Sequence, residues 1–195
     1  MAEALKNTIV VLIGFAGTGK YTIGRELADG TGAKLIDNHL INNPLFTAIN
    51  ADGVTPLPPQ IWEKVRRARH LVYETIRELS PSGSSFVFTI QLSEEDKDDH
   101  AAFADLVELA TVRRSLLVPI CLICEVEELC RRIASPGRAA MLKQITAEAA
   151  RQRAESKSVL IPRHPYVRTI DVTRKSASES AAEILDYVMS IAEKR

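Results

Sequence analysis

The chain predicts a three-layer α/β/α protein built on a five-stranded parallel sheet, and three observations carry that prediction. Five runs rich in Val and Ile recur at long spacing: Thr8–Ile13, Ala33–Ile36, Ser85–Leu92, Leu116–Ile123 and Val167–Val172. Their near-continuous apolar character is that of strands covered on both faces, as strands of a parallel sheet are. Helical patterns lie between them, and strands alternating with helices are βαβ units. At 195 residues, with 46% hydrophobic and 26% charged residues, one globular domain over 1–195 is the expected organisation.

Each element has its own signal. The first run leads into a glycine-rich turn and a helical pattern over Thr22–Ala28. After the second run, Asn42–Pro59 reads as loop, because it carries Pro44, Gly53, Pro56, Pro58 and Pro59. Ile61, Val65, Ala68, Val72, Ile76 and Leu79 then fall on one face of an amphipathic helix, opened by Trp62 as a packing anchor. Ser93-Glu94-Glu95-Asp96 reads as a Ser-capped acidic first turn leading into a helix over Asp98–Arg113. Val126–Ile133 and Ala177–Ile191 complete the helices, and no repeat of 20–50 residues is present. Ala134–Arg163, opening with Ser135-Pro136-Gly137, is a second long excursion. Such excursions in α/β proteins cover ligands at the C-terminal ends of the strands, so about 38–80 is the expected acceptor region and about 134–163 a short lid.

Composition excludes some classes of function. The 25 Lys and Arg balance 25 Asp and Glu, which is not the basic surplus of a protein that coats nucleic acid. No stretch reaches the roughly 18 apolar residues of a membrane span. The apolar run from Thr8 follows Glu3 and Lys6 and lacks a small-residue cleavage pattern, so it does not read as a secretory signal. Cys121, Cys124 and Cys130 are an odd number in one segment with no neighbouring His. They fit buried thiols of a reduced, cytoplasmic protein better than a disulfide framework or a zinc site. A monomer or a homodimer is expected.

The chemistry sits in Gly14-Phe15-Ala16-Gly17-Thr18-Gly19-Lys20-Tyr21-Thr22. Gly-x4-Gly-Lys between a strand and a helix is the phosphate-binding P-loop. Glycines let successive N–H groups turn inward at a helix N-terminus, and Lys20 brings positive charge to the β- and γ-phosphates. Gly14, Ala16, Gly17, Thr18, Gly19, Lys20, Tyr21 and Thr22 are therefore the expected nucleotide-binding residues. Tyr21 departs from the pattern, for a Ser or Thr hydroxyl normally stands there on Mg²⁺. Its phenol lies too far from its own backbone to take that place, and Thr22 follows one position later.

From Gly14 to Ala28 the chain resembles the shikimate kinases, whose opening is Gly-Phe-x-Gly-x-Gly-Lys-Ser-Thr-x-Gly-x-x-Leu-Ala. The likeness continues at Leu35-Ile36-Asp37-Asn38-His39, beside the family's Asp-x-Asp, and weakly at Arg131…Arg138 and Asp171-Val172-Thr173…Ser176. It implies the nucleoside-monophosphate-kinase-like architecture, with ATP and Mg²⁺ as cofactors. Asp37 matches the Asp of the Mg²⁺ region and would hold the ion through water or orient the acceptor; as a plain alternative, it caps the following turn. His39 replaces the substrate-binding second Asp; a backbone-bonding loop His is the other reading. No glycine triplet follows the third strand, where Thr89-Ile90-Gln91-Leu92 stands, and Gln91 ends near the acceptor. The substrate-holding arginine has no clean match, although Arg66, Arg67 and Arg69 lie in the right stretch; Arg67 is taken as the candidate. By spacing, Arg131 would contact the base and Arg138 would close over the transferring phosphoryl group, while Glu127, Glu128, Arg131 and Arg132 also make ordinary helix pairs.

The expected activity is ATP-dependent transfer of a phosphoryl group to a hydroxyl of a small molecule, with Lys20, Asp37 and Arg138 in the catalytic roles. A nucleoside, sugar or antibiotic kinase is the alternative. A nucleotide-binding regulatory protein with little or no turnover is the rival from another class, and Tyr21 favours it.

Overall fold

The computed structural model describes residues 4–53, 55–134 and 146–194. Five strands are arranged in one sheet: β1 (Thr8–Ile13), β2 (Lys34–Asp37), β3 (Phe86–Ile90), β4 (Leu116–Ile123) and β5 (Arg168–Asp171). Their spatial order is β2-β3-β1-β4-β5, and every pairing is parallel. The connections that leave the neighbouring strands β1 and β3 therefore run to opposite sides, which opens a crevice at their C-terminal ends.

Alternation along the strands builds the two outer layers. Val10, Leu12, Val87, Ile120, Leu122 and Ile170 face one side with α1 (Lys20–Thr31) and α7 (Ala177–Ala192). Ile9, Val11, Ile13, Phe88, Ile90 and Cys121 face the other with α3 (Ile61–Leu79) and α4 (Lys97–Arg113). Both sides of the central strands are covered by helix, which is why β1, β3 and β4 read as unbroken apolar runs, whereas the edge strands β2 and β5 are partly exposed. Burial pushes the Cys121 thiol up to about 12, so it is an inert packing group. Cys130 is buried as well, whereas Cys124 lies just beyond β4 and is half-buried.

Three expectations need correction. Asn42–Pro59 is not all loop: α2 (Asn38–Ala48) runs through Pro44. Asn42 and Phe46, one turn apart, are its buried face, and Phe46 packs with Ile61 and Val65 of α3. The helix carbonyl that Pro44 leaves without an N–H donor belongs to Leu40, which is 65% exposed and within reach of water. Local propensity is thus overridden by packing. Trp62 is no buried anchor; it is 53% exposed and meets Phe46 edge-on at 6.1 Å.

The cap of α4 also differs. Asp96, not Ser93, takes that role by accepting from the Asp98 N–H. Ser93 is buried; its N–H and hydroxyl both donate to Asp99 Oδ2, and it bridges to Val159. The excursion after α5 (Val126–Ile133) contains its own helix, α6 (Ala147–Ser156), docked on α5 by Arg151 on Glu127 at 2.5 Å and Cys130 Sγ on the Ala147 carbonyl. Beyond α6 the chain returns to the sheet edge, where the Leu160 N–H donates to the Leu92 carbonyl.

Candidate functional site

Between β1 and α1, residues 14–19 wrap around the helix N-terminus. Gly17 and Gly19 have φ of 92° and 84°, conformations that L side chains rarely adopt, so the glycine spacing is a backbone requirement. Gly14 is needed for a different reason. A Cβ there would stand 2.8 Å from the Leu122 carbonyl oxygen of β4. Helix α1 starts without a side-chain cap, and its ladder begins with the Ile23 N–H on the Gly19 carbonyl. The N–H groups of Lys20, Tyr21 and Thr22 occupy the first turn, where a helix offers donors to an anion.

Several loop groups are engaged within the protein. Lys20 Nζ donates to the Gly14 and Phe15 carbonyls at 2.7 and 2.8 Å, which lays the ammonium across the loop. Thr18 is buried, and both its N–H and its hydroxyl donate to the Phe15 carbonyl. The Ala16 N–H donates to Gln91 Oε1 at 3.0 Å, so Gln91 meets this loop. Tyr21 is half-buried, with the Arg25 guanidinium 6.0 Å from its ring centre, and Thr22 is exposed.

Next to the loop, the ends of β2 and β3 form the second half of the site. Asp37 and Thr89 are cross-strand neighbours, each only 3% exposed. The Thr89 hydroxyl donates to Asp37 Oδ1 and accepts from the Asn38 N–H at 3.2 Å. Asp37 stands at the cap position of α2, yet its side chain makes no capping bond. Its carboxylate is turned to Thr89 of β3 instead. His39, half-buried, lies in the first turn of α2.

The small cleft beside them, a water-sized cavity of about 10 Å³, is lined by Asn38, Thr89, Arg69, Tyr73, Ile36 and Phe88 among others. Arg67 is exposed on α3; Arg69, two residues on, enters the cleft. Its Nε is buried without a hydrogen-bond partner, as is Asn42 Oδ1 on α2. An unsatisfied buried donor of this kind costs about 1–3 kcal/mol and is stabilised by any acceptor that enters. Burial pushes the Tyr73 phenol above its ordinary range, so that group stays protonated beside Arg69. The sequence held a signal for Arg69: it is four residues from both Val65 and Tyr73, on the buried stripe of α3, whereas Arg67 is about half a turn away.

On the other side of the loop, Arg131 is exposed and bound to Glu128 at 2.6 Å. Arg132 bonds Glu128 Oε1 at 2.7 Å and reaches the Val172 and Thr173 carbonyls at 2.8 and 3.1 Å. These bonds tie α5 to the loop between β5 and α7. Two arginines hold the Glu128 carboxyl at about 2, and hydrogen bonds from Thr173 hold that of Asp171 below its usual range. Arg138 lies outside the described residues. The glycine-rich loop, Asp37, the Arg69 cleft and the Arg132-tied loop thus share the C-terminal edge of the sheet. Among the described residues no group of three or more His, Cys, Asp and Glu is placed to hold a metal ion. No described helix is long and apolar enough to cross a membrane.

No family model matches the chain, and no curated protein matches its sequence. Solved structures match its fold. A gluconokinase from Sinorhizobium meliloti 1021 superposes with a TM-score of 0.67 at 14% identity, over 98% of this chain and 97% of that one. The APS kinase of Mycobacterium tuberculosis, in complex with AMPPNP and APS, gives 0.56 at 17% identity over 94% and 98%. A shikimate kinase from Acinetobacter baumannii, in complex with shikimate, gives 0.50 at 18% identity over 94% and 93%. The strand order, the loop after β1 and these superpositions agree: the chain has the fold of the P-loop small-molecule kinases.

Proposed function

We propose that the protein transfers the γ-phosphoryl group of ATP to a hydroxyl of a small molecule that carries a negative charge. The glycine-rich loop of residues 14–20 between β1 and α1, together with a buried arginine donor left without a hydrogen-bond partner beside the ends of β2 and β3, carries this reading. Phosphoryl transfer needs little covalent chemistry from the protein, so positioning and charge do most of the work. Lys20 and the first-turn N–H groups of α1 would hold the phosphates, with Lys20 exchanging its bonds to Gly14 and Phe15 for phosphate oxygens. Arg69 and Asn42 would bind the anionic and polar ends of the acceptor and turn its hydroxyl towards Asp37. Arg138 would cover the transferring group and Arg131 or Arg132 the base. Excluding water favours phosphoryl transfer over hydrolysis, so residues 134–163 are proposed as the lid.

Mg²⁺ fits this edge. It is a hard cation, ordinarily held by one or two carboxylates, water and substrate phosphates, and Asp37 supplies such a carboxylate. Bound there, the ion would neutralise charge between the β- and γ-phosphates.

The test is a thermal-shift screen of metabolites in the presence of AMPPNP. Anionic hydroxy compounds should add stabilisation beyond that of the nucleotide, and hits should stimulate ATP consumption. Neutral sugars as the only hits would overturn the anionic acceptor. Tight nucleotide binding with no acceptor-stimulated turnover would favour the second reading, a nucleotide-binding regulatory module. That reading draws on Tyr21, which pairs with Arg25 where a hydroxyl for the metal ion ordinarily stands.

A further inference from the structure

Asp37 is a carboxylate only 3% exposed, with no arginine or lysine paired to it among the described residues, and it accepts a hydrogen bond from one neighbouring side chain. Thr89 faces it across the β2–β3 pairing and is equally buried. Its hydroxyl has two bonds of opposite sense. It donates to Asp37 Oδ1 and accepts from the N–H of Asn38, the first residue of α2. One hydroxyl therefore fixes both the Asp37 carboxylate and the backbone that follows it. Thr89 engages Oδ1 and leaves Oδ2 outside that bond. The next two residues along the chain, the last of β3 and the one after it, hold the glycine-rich loop: the Ile90 carbonyl accepts from the Gly14 N–H at 3.3 Å, and Gln91 Oε1 accepts from the Ala16 N–H. Thr89, Ile90 and Gln91 thus link Asp37 to Gly14 and Ala16 of the loop after β1.

We propose that Thr89 is a positioning residue, whose hydroxyl aims the Asp37 carboxylate at the Mg²⁺ of a bound Mg–nucleotide. The inference rests on the nucleotide site proposed above. Val at this position keeps the shape of the side chain and removes the hydroxyl, leaving a buried carboxylate without its donor. Ser restores the hydroxyl and removes a methyl group that faces Gly24.

The experiment is calorimetric titration of the full chain with AMPPNP, in excess Mg²⁺ and in EDTA. It compares the wild type, Thr89→Val, Thr89→Ser, Asp37→Asn and the Asp37→Asn/Thr89→Val double variant. Affinity in EDTA should agree within about twofold across all five, because the phosphate loop is untouched. The gain on adding Mg²⁺ should be about tenfold or more in the wild type, a difference of about 1.4 kcal/mol. Thr89→Val should cut that gain to less than about threefold, and Thr89→Ser should retain it. Asp37→Asn should abolish it, and adding Thr89→Val to Asp37→Asn should change nothing more, as expected when one residue acts through the other. A full Mg²⁺ gain in Thr89→Val, an equal loss in Thr89→Ser, or a further loss in the double variant overturns the proposal. So does a wild type that binds AMPPNP tightly without any Mg²⁺ gain, and in that case the nucleotide site still stands. A wild type that binds no nucleotide at all removes the site and the inference together.

Discussion

Gly14 has no room for even one added carbon. Its virtual Cβ lies 2.8 Å from a backbone oxygen of β4 and 2.9 Å from the Thr18 hydroxyl, and a strand carbonyl cannot swing aside as a side-chain tip can. Gly14→Ala should therefore push the loop off β4, costing about 1–3 kcal/mol in urea unfolding and weakening AMPPNP binding as well. Lys20→Ala separates the two effects. It should leave the unfolding midpoint nearly unchanged and reduce nucleotide affinity by about tenfold or more; an unchanged affinity would remove the phosphate-loop assignment. Residues of this kind are legible because their chemistry is local: spacing alone places glycines and lysine on one turn. Arg69 and Thr89 were not singled out from sequence. Arg69 is marked only by helical phase, and Thr89 only by its partner across the sheet, Asp37, fifty-two positions away in the chain.

At the scale of elements, capping and packing decide where structure begins. Helix α7 opens with a complete capping box, in which Ser176 Oγ accepts from the Glu179 N–H and the Glu179 carboxylate accepts from the Ser176 N–H. Ser176→Ala should cost about 1 kcal/mol in urea unfolding; no change would mean that this end frays in solution. The strands are readable to within one or two residues; burial on both faces makes β1, β3 and β4 uninterrupted runs. Helix α2 was not, since its Pro44 signals a break and the Phe46 contact that overrides it comes from α3. Helix α5 holds the β5–α7 loop through Glu128 and Arg132, and this link depends on pH. The Glu128 carboxyl lies at about 2 in the folded chain against an ordinary 4.5, so the folded state loses its advantage as the pH falls through that window. The stability difference between wild type and Glu128→Gln should be full at pH 6 and above, and should shrink steadily from about pH 4.5 to pH 2.

For the molecule as a whole, zero net charge and phosphate binding are compatible, because a nucleotide site uses backbone N–H groups and a few placed cations rather than a basic surface. The phosphate loop is also wired into the centre of the fold. Gly14 is bonded to β3 and packed on β4, and Ala16 is bonded to Gln91. None of this geometry exists in the unfolded chain, so nucleotide should bind the native state alone. At a ligand concentration about 100 times Kd, that linkage stabilises the protein by about 2.7 kcal/mol. For a chain of this size each kcal/mol corresponds to roughly 2–4 °C, so AMPPNP should raise Tm by roughly 5–11 °C. Lys20→Ala should lose most of that shift at the same concentration while melting near the wild-type temperature without ligand. Leu106→Ala is the contrasting case. Leu106 is fully buried between α4 and the sheet, and its truncation should cost about 2–5 kcal/mol and lower Tm with and without nucleotide alike. A ligand shift preserved in Leu106→Ala and lost in Lys20→Ala would separate the site from the core that carries it. Equal loss in both would mean that the apparent site is only a measure of global stability.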